Sequence, residues 1–182
     1  FSDESLPVQL IGDKLFTEVK IPSCGWTTLK IVQDDSMSNS SSIYENEALP
    51  IVKATERMLE NEYLRIEFNE TGEVTSIYDK ELDYEFAAGL CNSFRMYKDV
   101  TGYYDAWDID SMYEQLPVEL DKKAEIKVLC EGPLAGGIAV ERQLYNSIMR
   151  QEIILRRASR VVEFRTFIDW RESHKLLKVA FP

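Results

Sequence analysis

The chain has 182 residues, 45% of them hydrophobic and 29% charged, enough for one well-buried core and ordinary for a folded domain. Its formal net charge is −11, the excess acid is spread along the chain, and the one basic stretch, residues 150–160, is diluted by Glu152 and an apolar alternation. That argues against nucleic acid as a partner, and no apolar run approaches the ~20 residues of a membrane-spanning helix.

Period-two alternation dominates the chain. Residues 14–21 and 26–32 read as a strand pair joined by the turn Pro22-Ser23-Cys24-Gly25. Residues 33–42 are polar and serine-rich, and no clear period returns before Met58. This divides the chain into residues 1–33, the end of a small β domain, a linker over 34–58, and, over 59–182, the N-terminal portion of a large β-sandwich domain expected to be truncated at its C-terminus. From Leu64 to Phe68 apolar residues alternate with Arg65 and Glu67, which predicts one buried and one wet face. Asn69-Glu70-Thr71-Gly72 is a hairpin turn in which Gly72 supplies the positive φ, and residues 74–78 return the chain. Residues 111–116 predict a single helical turn. Strands over 124–131 and 134–143 share a Gly132-Pro133 turn, and Gly136-Gly137 inside the second predicts a bulge or a close backbone approach. Strands over 148–156 and 161–170 follow, then a charged turn at 171–175 and a last strand. Short strands with turn chemistry between them predict an all-β, antiparallel sandwich.

The densest chemical signal is Tyr104-Asp105-Ala106-Trp107-Asp108-Ile109-Asp110, three carboxylates and two aromatic rings in seven residues just after Gly102. A flat ring covers the apolar C–H face of a sugar, and carboxylates take its hydroxyls. The alternative is an acidic surface loop whose Trp107 and Tyr104 are pinned into a nearby core. Asp105, Asp108 and Asp110 together would suit Ca²⁺ but lack the glycine and bidentate glutamate of an EF-hand. Asp105 and Asp108 as an acid–base pair for glycoside hydrolysis would need a fixed separation that spacing does not set. His174 is the only histidine, so no histidine pair for zinc exists in the chain, and a Ser/His or Cys/His nucleophile pair is not expected. Cys24, Cys91 and Cys130 are odd in number and far apart, which points to free thiols in a reducing compartment. The sequons at Asn39 and Asn69 are of the kind that arise by chance. The chain opens on Phe1 and closes in an apolar strand, as an excised piece of a longer polypeptide would.

Several blocks carry a resemblance. Leu59-Glu60-Asn61-Glu62-Tyr63 with the strand after it, Gly72 to Lys80, Tyr104 to Asp110, Asp169-Trp170 with Glu172, and His174-Lys175-Leu176-Leu177-Lys178-Val179-Ala180-Phe181-Pro182 resemble the large β domain of glycoside hydrolase family 38 α-mannosidases. The match is nearer the cytosolic and bacterial branch than the Golgi and lysosomal ones. It implies a galactose-mutarotase-like β-supersandwich, preceded by a short β segment from a neighbouring small β domain. It also implies hydrolysis of terminal α-mannosides with retention, through a mannosyl-enzyme on an aspartate, with zinc or a similar divalent ion gripping the sugar. In that family the nucleophile and metal ligands lie in an N-terminal barrel and the helical bundle after it. The resemblance therefore implies a fragment with no catalytic residue and no metal ligand of its own. Its partners would be the missing domains of the same cytoplasmic polypeptide and a mannose-containing oligosaccharide. Tyr104, Asp105, Trp107 and Asp108 are the expected substrate-contacting residues. Three rivals stand beside this reading: a stand-alone carbohydrate-binding module, a mutarotase-type enzyme and a purely structural spacer.

Overall fold

The structure, a computed structural model, describes residues 6–31, 50–104 and 107–182. Asp105, the sequon at Asn39 and the linker up to residue 49 lie outside the described residues. In chain order the strands are β1 (Val8–Ile11), β2 (Lys14–Thr17), β3 (Lys53–Thr55), β4 (Met58–Glu60), β5 (Leu64–Phe68), β6 (Val74–Asp79), β7 (Tyr84–Glu85), β8 (Ser93–Lys98), β9 (Pro117–Val118), β10 (Ala124–Cys130), β11 (Ala135–Leu144), β12 (Ser147–Arg156), β13 (Val162–Asp169) and β14 (Lys175–Ala180). Among the described residues the one helical element is a 3-10 turn, Tyr113–Gln115, inside the stretch expected to form one.

Every named pairing is antiparallel. β3 to β7 form a five-stranded sheet in sequence order, and β10 to β13 form a four-stranded one, as meanders with short connections do. β8 sits between β14 and β9 in a third sheet. Alternation fixes which residues face inward. Ile138, Val140, Met149, Ile153 and Leu155 of the four-stranded sheet join Leu59, Leu64, Ile66, Phe68, Val74 and Met96 in one buried cluster. The result is the antiparallel sandwich that the alternation predicts.

Polar side chains lock the layers together. Asn61 accepts from the amides of Tyr63 (2.9 Å) and Leu64 (2.7 Å) and donates to the carbonyls of Arg156 (2.8 Å) and Ser159 (2.7 Å). Asn92 and Gln151 meet across the interior at 2.7 Å. Every amide position of Asn61 is thus spent on backbone, which is why a buried asparagine is tolerated there.

Two local expectations differ from what forms. Lys14–Thr17 pairs with Val8–Ile11, not with residues 26–31, which carry no strand. The turn at Pro22 does close, with Gly25 N–H donating to the Pro22 carbonyl at 3.0 Å, but Trp26 and Ile31 stay exposed beyond it. The nearer partner wins because Gly12 adopts φ +62°, the left-handed conformation a two-residue hairpin loop requires. Residues 52–58, read as linker, carry β3 and the start of β4; Val52 and Ala54 are in the core. Their alternation is too short to register as a strand from sequence.

Glycines 136 and 137 lie in β11, opposite the irregularity in β10 between Val128 and Cys130. A Cβ on Gly136 would stand 3.0 Å from Val52 Cγ1, so the close approach expected of this pair is present.

Candidate functional site

The aromatic and acidic segment belongs to the connection from β8 to β9. Its two ends are pinned together: Lys98 N–H donates to the Leu116 carbonyl at 2.8 Å, and Asp99 N–H donates to the His174 carbonyl at 2.9 Å. Tyr104 takes φ +58°, and its carbonyl accepts from the amides of Trp107 (2.9 Å) and Asp108 (3.1 Å). That turn throws the rings outward. Trp107 is 93% exposed and Tyr104 79%, so neither is pinned into a core.

Asp110 has a different job from its neighbours. Its carboxylate accepts from the Met112 amide at 2.7 Å and its carbonyl from the Tyr113 amide at 3.1 Å, which starts the 3-10 turn. Asp108 is exposed with no such bond among those described. A hollow of about 150 Å³ opens beside the turn, lined by Lys98, Val100, Asp110, Met112, Tyr113, Gln115 and Leu116. The anchoring role that sequence reasoning assigned to Trp107 and Tyr104 as an alternative falls to Tyr113 instead. Its ring meets Tyr97 edge-on at 5.1 Å, and Lys178 Nζ lies 4.6 Å from its centroid.

Another concavity lies elsewhere, a trough of about 610 Å³ on the outer face of the four-stranded sheet. Its charges neutralise one another. Arg150 Nε donates to Glu141 at 2.7 Å, Arg165 bonds Glu163 at 2.7 Å and faces Glu152 at 3.8 Å, and Lys127 pairs with Glu125. The Glu141 hydrogen bond, then its charge, holds Arg150 above the ordinary guanidinium range.

Other residues singled out from the sequence are structural. His174 is an exposed turn residue at φ +50°. Glu172 accepts from the Asn146 amide at 2.7 Å and from Ser147 Oγ at 2.9 Å, tying the turn after β13 to the β11–β12 turn. The Asn69 amide nitrogen donates to Glu73 at 2.8 Å. Among the described residues no three His, Cys, Asp or Glu side chains come together as a metal site. No helix among them is long and apolar enough to cross a membrane. The three cysteines are free, Cys91 and Cys130 buried and Cys24 exposed.

Comparison with known proteins agrees with this scaffold. A family model described as the glycosyl hydrolases family 38 C-terminal domain matches residues 59–182. Alpha-mannosidase 2C1 of Homo sapiens is 35% identical over 130 residues, covering 68% of this chain and 12% of its own length, and its Mus musculus counterpart gives the same figures. Alpha-mannosidase G of Dictyostelium discoideum is 26% identical over 129 residues. The chain thus spans only 12% of the length of these relatives. A solved structure of a glycosyl hydrolase family 38 protein from Enterococcus faecalis superposes with a TM-score of 0.56 at 12% identity, over 79% of this chain and 20% of the other, and so shares the fold. The chain belongs to glycosyl hydrolase family 38, with residues 59–182 forming its C-terminal-domain part.

Proposed function

We propose that this chain is the β-sandwich portion of an α-mannosidase that hydrolyses terminal α-mannosides with retention, and that its 104–110 loop forms part of the rim of the substrate cleft. The observation that carries the reading is the outward presentation of Trp107 and Tyr104 on a loop whose base is fixed to a family 38 sandwich. Aromatic surface held in water beside carboxylates costs free energy unless something covers it, and a mannose-containing oligosaccharide fits that chemistry. Trp107 and Tyr104 would cover the apolar face of a sugar, while Asp108 would accept from its hydroxyls; Asp105 is assigned the same role from the sequence. The names of the relatives, alpha-mannosidase 2C1 and alpha-mannosidase G, support the substrate class.

Retaining hydrolysis needs a nucleophile and an acid–base group about 5 Å apart. In this reading both belong to the remainder of the polypeptide, together with the zinc or similar divalent ion that grips the sugar. The described residues of this chain do not assemble ligands for such an ion, and no chemical step is assigned to them. Free thiols and the branch of the family resembled support a cytoplasmic setting.

The test is hydrolysis of a chromogenic α-mannoside, with zinc present, by the longer polypeptide containing this sequence and by the 182-residue chain. Activity in the longer polypeptide alone is expected. Turnover by the chain itself would overturn the non-catalytic assignment, and inactivity of both would overturn the mannosidase.

A further inference from the structure

Among the described residues 102–117, Tyr113 is the only one that is not exposed. Among the described residues of this stretch it is therefore the side chain best covered by the sandwich. Its foothold is built from two neighbouring strands. The Tyr97 ring on β8 meets the Tyr113 ring at 5.1 Å and 85°, an edge-to-face pair. Lys178 on β14 places its ammonium 4.6 Å from the same centroid and donates to the Tyr113 hydroxyl. That hydroxyl in turn donates to Glu114 at 3.0 Å.

The two strands are neighbours in register. Tyr97 pairs with Leu176 and Arg95 with Lys178, so Tyr97 and Lys178 project from one face of the same sheet, diagonally disposed. Lys178 stands inside the His174 to Pro182 block, which has no role in the cleft reading so far. Its contact with Tyr113 joins that block to the aromatic and acidic one 65 residues away. The 3-10 turn converts the foothold into a position: Asp110 accepts from the Met112 and Tyr113 amides where the turn begins, and Asp108 and Trp107 lie just before it.

We infer that Lys178 and Tyr97 are positioning residues for the substrate-cleft loop, acting through Tyr113, so that the two blocks form one functional unit. The inference rests on the cleft reading for its effect on turnover, whereas the mechanical clamp is independent of it. A single exposed ion contact contributes little. Two side chains from neighbouring strands, Tyr97 and Lys178, meet at one ring, and the loop ends are already bonded at Lys98 and Leu116.

Two readouts test this. Amide hydrogen exchange of the 182-residue chain reports the clamp directly, because the Tyr113, Gln115 and Leu116 amides bond within the turn. In Lys178→Met they are expected to exchange about tenfold faster, with the core strands unchanged. Lys178→Arg, which again covers the ring and donates to the hydroxyl, is expected to restore protection. In the longer polypeptide, Lys178→Met is expected to raise KM for an α-mannoside about tenfold with kcat within about twofold, and Lys178→Arg to restore it. Unchanged exchange in Lys178→Met overturns the clamp. Faster exchange with unaltered KM overturns the positioning role. If the wild-type polypeptide proves inactive on mannosides, the cleft reading fails on its own account and exchange alone decides the clamp.

Discussion

Gly72 and Val140 touch across the sandwich so closely that a Cβ built on Gly72 would lie 2.6 Å from Val140 Cγ1. The glycine sits at φ +77° in the β5–β6 turn, and its carbonyl accepts from Asn92 at 3.2 Å. One residue thus meets two requirements, a left-handed backbone and the absence of a side chain against the facing sheet. Gly72→Ala is expected to destabilise the chain by roughly 2–4 kcal/mol, combining left-handed strain with overpacking. Urea denaturation measures it; a loss below about 1 kcal/mol would mean that Val140 moves aside freely.

Beside that turn, Glu73 receives hydrogen bonds from Asn69 (2.8 Å), Ser93 (2.8 Å) and Thr71 (3.0 Å), with the buried Arg142 guanidinium 3.8 Å away. Burial pushes its carboxyl up, but those donors and the Arg142 charge outweigh burial and hold it below the ordinary range. A depressed folded pKa stabilises the fold above the unfolded value of about 4.3, and the contribution is lost as pH falls through the folded value. Glu73→Gln is expected to cost roughly 1–3 kcal/mol at pH 7 and to flatten the decline in stability below about pH 4. Parallel melts at pH 7 and at acid pH check both parts.

Gln9 fastens the β1–β2 hairpin to the sandwich. Its oxygen accepts from the amides of Leu134 (2.8 Å) and Ala135 (2.9 Å), and its nitrogen donates to the Ala135 carbonyl at 2.7 Å. Gly132 leaves room for it, since a Cβ there would lie 2.6 Å from Gln9 Cδ. Gln9→Ala is expected to free the hairpin. Exchange of the 8–17 amides should accelerate by at least about tenfold while β11 and β12 stay protected. Equal protection in the variant would assign the docking to other contacts.

Burial, then Glu152, pushes the Cys130 thiol up to about 11, and burial does the same in direction for Cys91. Native chain treated with a thiol reagent at pH 8 is expected to label Cys24 rapidly and the other two only on denaturation. Rapid labelling of all three would show that the interior opens readily.

The β5–β6 and β10–β11 hairpins were legible because alternation and turn residues agreed over five or more residues on each side of a turn containing glycine, and β12 and β13 because their alternation runs over eight or more residues. β1, β3 and β4 escaped because each is only three or four residues long, too short for an alternation to register. At the candidate site the outward rings were visible as composition. Tyr113 was not, since its partners Tyr97 and Lys178 lie 16 and 65 residues away and nothing in the local spacing marks them. Asn61 and Glu172 stood out as parts of recurring blocks, yet their hydrogen bonds make them fasteners of the sandwich.

The most direct test of the account is the catalytic efficiency of the longer polypeptide on an α-mannoside, with and without Trp107→Ala. Because Trp107 is 93% exposed, the substitution is expected to leave stability within about 0.5 kcal/mol. Removing the sugar contact proposed for it is expected to lower kcat/KM by roughly 10- to 100-fold. An unchanged kcat/KM in a folded variant would contradict the account and make the loop a structural one.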